Sequence, residues 1–190
     1  MSLAIERTDS GALERLRALL RREGGLMATL VEPESTLERD APGGEKAGAE
    51  HAPDSSPAHI AASGPRAAGR REEYELLVEA IYEGYLLHYG TPRVVQVPED
   101  DLKLLAGDRL YAIGLARLVA LGDTHAVAEL ADTITLSALA QGAGAAELAE
   151  AVWSAGAHAV GWGSSETHLR AKQLVLAGAP EAIEAMRTSI

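Results

Sequence analysis

Glu99–Gly122, EDDLKLLAGDRLYAIGLARLVALG, is the stretch on which the fold depends. It is long, apolar on nearly all sides, and opens with acids, as a helix N-terminus favours. It predicts a buried central helix in an all-α domain. At 100° per residue, Lys103 and Arg117 share one face, with Asp101 and Asp108 about 140–160° away. If the basic residues mark the wet side, the two aspartates point inward among Leu104, Leu105, Tyr111, Ala112 and Leu115. An inward carboxylate must be partnered or neutral. Asp108 is therefore expected to accept hydrogen bonds from a neighbouring helix, or to pair with Arg93 or Arg109, or else to touch a ligand or metal. Asp101 also fits a dipole-favoured exposed acid.

Downstream, Leu121-Gly122-Asp123-Thr124 is a tight connection, with Gly as stop and Asp123 or Thr124 as the next cap. So short a link makes the following helix, His125 to Gln141, an antiparallel neighbour. It is expected to expose His125, Glu129, Asp132 and Thr133, and to bury Val127, Leu130, Ala131, Ile134 and Ala138. Past Gly142-Ala143-Gly144, the helix AAELAEAVWSAGAHAV aligns Glu147, Glu150, Ser154 and His158. That stripe suits solvent better than a catalytic trio, because a triad needs groups meeting head to head. Gly161–Ser165 predicts a turn with Ser164 or Ser165 capping a helix to Ala177. Pro180 opens a last short helix.

Upstream, REEYELLVEAIYEGYLLHYG (71–90) is helical, with Glu75, Glu79 and Glu83 expected on a solvated side. Gly90-Thr91-Pro92 ends it, and Arg93–Val97 is a short extended linker. Glu32 to Arg70 holds five of the eight prolines, and its only Leu, Ile or Val residues are Leu37 and Ile60. Such a segment cannot offset its ordering entropy, so residues 32–70 are expected to form a disordered linker carrying free His51 and His59. Residues 1–31 form an N-terminal amphipathic helix capped at Ser10, with Leu13, Leu16, Leu19 and Leu20 on one stripe. It docks on the domain, on a partner, or on nothing. The folded helical domain is then 71–190.

Composition narrows the function. The chain has no Phe and no Cys, which excludes disulfides, zinc thiolates and thiol nucleophiles, and its net charge is −11. From Arg71 onward eight Lys/Arg stand against seventeen Asp/Glu. This excludes a nucleic-acid surface and a polybasic lipid-binding face. No stretch has the ~18 apolar residues of a membrane span, and no signal-type segment opens the chain. The cytoplasm is the expected compartment.

The central segment also resembles a known family. Leu104-Leu105-Ala106-Gly107-Asp108-Arg109-Leu110-Tyr111-Ala112, then Leu115-Ala116-Arg117-Leu118 and Gly122-Asp123, is similar to the helix following the first aspartate-rich motif of trans-polyprenyl diphosphate synthases. Leu130-Ala131-Asp132-Thr133-Ile134 and Gly90-Thr91-Pro92-Arg93-Val94-Val95 resemble two further family segments. The likeness covers about residues 86–141. It implies an antiparallel helical bundle like a truncated isoprenoid synthase fold. Family catalysis requires two DDxxD motifs, which hold magnesium against the diphosphate. This chain has only Asp100-Asp101, placed after the Gly-Thr-Pro segment, and no second motif. The resemblance therefore implies a non-catalytic regulatory or chain-length subunit of a two-component polyprenyl diphosphate synthase, with no cofactor or metal of its own. Its partner would be the catalytic subunit, met through Tyr82, Tyr85 and Tyr89, and self-association is a further option. The alternative is a stand-alone helical binding or scaffold protein with no isoprenoid link. A hydrolase using Ser154 or Ser165 with His158 or His168 is a third.

Overall fold

The computed structural model describes residues 6–31 and 56–190, and all its regular elements there are helices. In order these are α1 (Glu6–Glu23), α2 (Gly25–Leu30), α3 (Pro57–Ser63), a single 3-10 turn (Pro65–Ala67), α4 (Arg71–Tyr89), α5 (Asp100–Ala120), α6 (Thr124–Gly142), α7 (Ala146–Trp162), α8 (Glu166–Leu176) and α9 (Ala182–Arg187). One isolated antiparallel bridge joins Val31 to Val95. The all-α bundle expected from the Ala- and Leu-rich composition is the observed architecture.

The helix at the centre is α4 rather than α5. It packs against α1, α3 and α5, and its tyrosines reach Trp153 of α7. Leu77, Val78, Ala80 and Ile81 are buried, and so are the acids Glu75, Glu79 and Glu83. The expected solvated glutamate side is thus an interior one. A helix covered all round must pair its acids within the fold. Arg15 of α1 donates to Glu75, Arg93 donates to Glu79, and Glu83 Oε1 accepts the backbone N–H groups of Arg93, Val94 and Val95 at 2.7, 2.6 and 3.2 Å. That triple contact ties Arg93–Val97 to α4, and Val94, Val95 and Val97 are buried there.

Helix α5 is half exposed, and the face expected inside is the outside. Its buried residues are Ala106, Gly107, Leu110, Ile113, Gly114 and Leu118. The reason is close approach to α4: a Cβ on Gly114 would stand 2.4 Å from Ile81 Cγ1, and one on Gly107 3.0 Å from the Gly84 carbonyl oxygen. Basic side chains proved a poor marker of the wet face. Lys103 lies half-buried and reaches Asp100, while Arg109 and Arg117 reach across to Glu23 of α1.

The N-terminal helices belong to the core. Leu16, Leu19, Leu20 and Met27 join Ala80, Leu87, Leu110 and Ile113 in one cluster. Helix α1 starts at Glu6, before Ser10, so Ser10 lies inside the helix instead of capping it. The expected disorder also fails over Ser56–Arg70. Ser56 caps α3 by accepting from the His59 N–H, Pro57 occupies the first turn, and Ala58 and Ala61 are fully buried between α4 and α7. His59 is half exposed, with Nδ1 3.8 Å from Glu75 Oε1. Residues 32–55, with His51, lie outside the described residues.

Candidate functional site

The two candidate acids of the central stretch are both exposed. Asp101 sits in the first turn of α5, and the Asp108 side chain is 68 % exposed. Asp108 meets neither Arg93 nor Arg109. Its Oδ1 lies 3.2 Å from His88 Nε2, and His88 stacks on Tyr111 with the rings nearly parallel. The inward placement is corrected: the glycines, having no side chain to hold α5 away, claim the inner face.

The three candidate interface tyrosines occupy three different environments. Tyr85 is buried, packs on Trp153 and accepts a hydrogen bond from Gln141 Nε2 at 2.7 Å. Tyr82 is half-buried, edge-on to Trp153, with the Arg93 guanidinium over its ring. Tyr89 is the exposed one. Burial pushes the Tyr82, Tyr85 and Tyr111 hydroxyls up, so these rings stay neutral.

The densest polar cluster lies where α6 meets α8. Glu129, expected outside, is buried and accepts from His168 Nε2 at 3.1 Å, Ser164 Oγ at 2.7 Å and Lys172 Nζ at 3.0 Å. Lys172 also donates to Asp132 at 2.6 Å. Burial works against the Glu129 charge, but its His168, Ser164 and Lys172 partners outweigh it and bring its pKa down to about 2. The same balance holds Lys172 above its ordinary value. Thr133, also expected outside, is buried against Gly156, where a Cβ would stand 2.0 Å from its Oγ1. Ala131, expected inside, is exposed. Helix α6 is rotated from its apolar-count orientation because a buried acid with three donors is as well satisfied as a leucine. The signal available in the sequence was Glu129 with the His168/Lys172 pair at i, i+4, but nothing local says that these elements meet.

The serine–histidine pairs expected of a hydrolase do not form. Ser165 caps α8 by accepting from the His168 N–H, and the His158 ring stacks on Trp162. His168 lies between Glu129 and Ser189, an acid–histidine–serine order. However, all three side chains are buried, and the Ser189 hydroxyl donates to the Met186 carbonyl. Such a serine is committed inside the core and is not presented to a substrate.

What the fold does present is apolar surface. Leu104, Leu105 and Val119 of α5, Leu139 of α6 and Tyr89 at the end of α4 are large exposed hydrophobic residues. Among the described residues no His, Asp and Glu cluster has metal-site spacing, and no helix is long and apolar enough to cross a membrane. Comparison with protein-family models, with curated proteins and with solved structures yields no match.

Proposed function

We propose that the chain is a non-catalytic regulatory or chain-length subunit of a two-component polyprenyl diphosphate synthase. One observation carries this reading. The residues that resemble the synthase family, about 86–141, fold as consecutive helices, the end of α4 followed by α5 and α6, while the acids at the head of α5 stand exposed and, among the described residues, belong to no metal-binding cluster. In the resembled family, diphosphate departure needs aspartates converging from two helices around magnesium. A chain with the scaffold segment and only Asp100-Asp101 in place of the two DDxxD motifs fits a supporting subunit.

The test is reconstitution. Co-expressed with a prenyl diphosphate synthase that carries both aspartate-rich motifs and comes from the same genome, the chain should co-purify with it. Mixing should then shift the product chain length. Absence of a complex together with unchanged product length overturns the reading.

A stand-alone binding protein is the second reading. It is favoured by a cleft of about 600 Å3 between the α6–α7 and α8–α9 turns, lined by Ala143, Gly144, Leu148, Pro180 and Ile183. Its lining is mainly small and apolar, so it would suit an apolar ligand.

A further inference from the structure

His168 faces an acceptor at each of its ring nitrogens. Nε2 lies 3.1 Å from Glu129 Oε2, and Glu129, whose pKa its partners bring down to about 2, is a carboxylate that can only accept. Nδ1 lies 3.4 Å from Ser189 Oγ. Ser189 gives its one hydroxyl proton to the Met186 carbonyl at 2.9 Å, so its Oγ offers the ring only lone pairs. A neutral imidazole carries a single N–H and leaves one of these contacts acceptor against acceptor. The imidazolium, with two N–H groups, satisfies both. Histidine, glutamate and serine are all buried, so water does not stand in for the missing donor.

The charge count of the cluster agrees. Glu129 and Asp132 of α6 bring two negative charges against the one positive charge of Lys172 on α8. A charged His168 makes the cluster neutral, whereas an uncharged one leaves a carboxylate unbalanced in the interior. No other group facing the ring supplies that charge. On α7, burial and then the neighbouring His168 push the His158 pKa down. The His125 ring at the start of α6 meets the Ala159 carbonyl through Nε2 at 3.3 Å. On α8, Glu166 and Arg170 are exposed and lie 3.7 Å from each other, and Arg187 of α9 turns to Glu147 at 3.0 Å.

We infer that His168 is an imidazolium in the folded chain and serves as a pH-sensitive clasp, joining Glu129 of α6 to the Ser189 turn that follows α9. Removing its proton acts in two ways. Nδ1 becomes an acceptor, so the Ser189 hydroxyl must leave the Met186 carbonyl to meet it, and the turn loses that hydrogen bond. The cluster is also left with its unbalanced carboxylate. Helix α9 carries Ala182 and Ile183, which line the cleft between the α6–α7 and α8–α9 turns, so the clasp fastens one wall of that cleft. The sign of the pH effect follows. A histidine in the unfolded chain gives up its proton near pH ~6.5. A fold that keeps the proton longer is favoured most below that pH and loses the advantage as pH rises.

The experiment is nitrogen NMR of the full chain with its histidine rings labelled, the His168 signal being assigned through its own backbone. At about neutral pH both His168 ring nitrogens should carry protons. One protonated and one bare nitrogen at that pH overturns the inference. Asp132→Asn removes an exposed carboxylate from the cluster without touching the ring, and should make His168 release its proton at lower pH. A titration that this substitution does not move overturns the shared charge balance. In urea unfolding, the folding constant of the parent chain should fall about tenfold more than that of His168→Gln between pH ~6 and ~8. Parallel pH profiles overturn the clasp. Should His168→Gln fail to fold, the ring signals of the parent and of Asp132→Asn still decide.

Discussion

Gly64 and Gly161 meet backbone to backbone: a Cβ on Gly64 would stand 2.2 Å from the Gly161 carbonyl carbon. This contact seats α3 on α7, and Gly161 in turn lies against the Ala61 carbonyl, 2.7 Å from the place of its own Cβ. Gly64 has an ordinary φ of −72°, so the demand for glycine here is steric and not conformational. Neither backbone can yield as a side-chain tip would. Gly64→Ala should destabilise by about 3 kcal/mol or more. The melting temperature should fall by about 6–12 °C. An unchanged melting curve would mean that α3 does not sit on α7.

Glu129 joins α6 to α8 through three donors, and its removal strands them. Glu129→Leu leaves His168 and Ser164 without their acceptor and Lys172 with Asp132 alone. The expected loss is about 3–5 kcal/mol by chemical denaturation. The pH dependence follows from the lowered pKa, about 2 against an ordinary 4.5. A carboxyl whose folded pKa is depressed contributes stability above its unfolded value, and that contribution disappears as pH falls from about 4.5 to 2. Urea midpoints measured across this window should drop more steeply for the parent chain than for Glu129→Gln.

Glu83 distinguishes hydrogen bonding from charge. Its Oε1 accepts three successive backbone N–H groups, a task that a neutral carbonyl oxygen also performs. Glu83→Gln should cost about 1–2 kcal/mol, and Glu83→Leu at least twice that, because it leaves buried amides unsatisfied. Hydrogen exchange at Val94 and Val95 reads the effect directly. Equal costs for the two substitutions would refute the amide contact.

Tyr74 donates to Asp123, which also accepts from Arg66 and caps α6 through the Ala126 N–H. Burial, then the hydrogen bond and charge of Asp123, raise the Tyr74 pKa from 10.0 to about 12. A raised pKa means the folded state holds the proton longer. Stability therefore declines as pH rises from 10 to 12, the reverse of the Glu129 case. Tyr74→Phe should remove that alkaline slope and cost about 1–2 kcal/mol at neutral pH.

Asp108→Asn should change stability by less than about 0.5 kcal/mol, as befits an exposed side chain. A loss of several kcal/mol would restore the inward placement that the sequence suggested.

Much of the fold was legible. Asp123 capping α6, Ser165 capping α8 and the exposed Glu147 and Glu150 all stand where local chemistry put them. What was misread shares one cause. The orientation of α5, the acids of α4, the rotation of α6 and the order of Ser56–Arg70 each depend on which neighbour arrives from elsewhere in the chain. Arg15, Arg93 and Lys172 make interior acids tolerable, and none is a sequence neighbour of the acid it meets. A segment of alanines looks like a linker until two helices close over it.

By itself, then, the sequence determined that the chain is a bundle of helices, because leucine periodicity, caps and glycine stops act within a turn or two. Glu99–Gly122 was correctly a helix, and its apolar surround was correctly unusual. Tertiary structure alone decided that Gly107 and Gly114 face inward and Asp108 outward. Inside and outside on a helix that is apolar nearly all round are chosen by close approach, and only the neighbour, α4, supplies that.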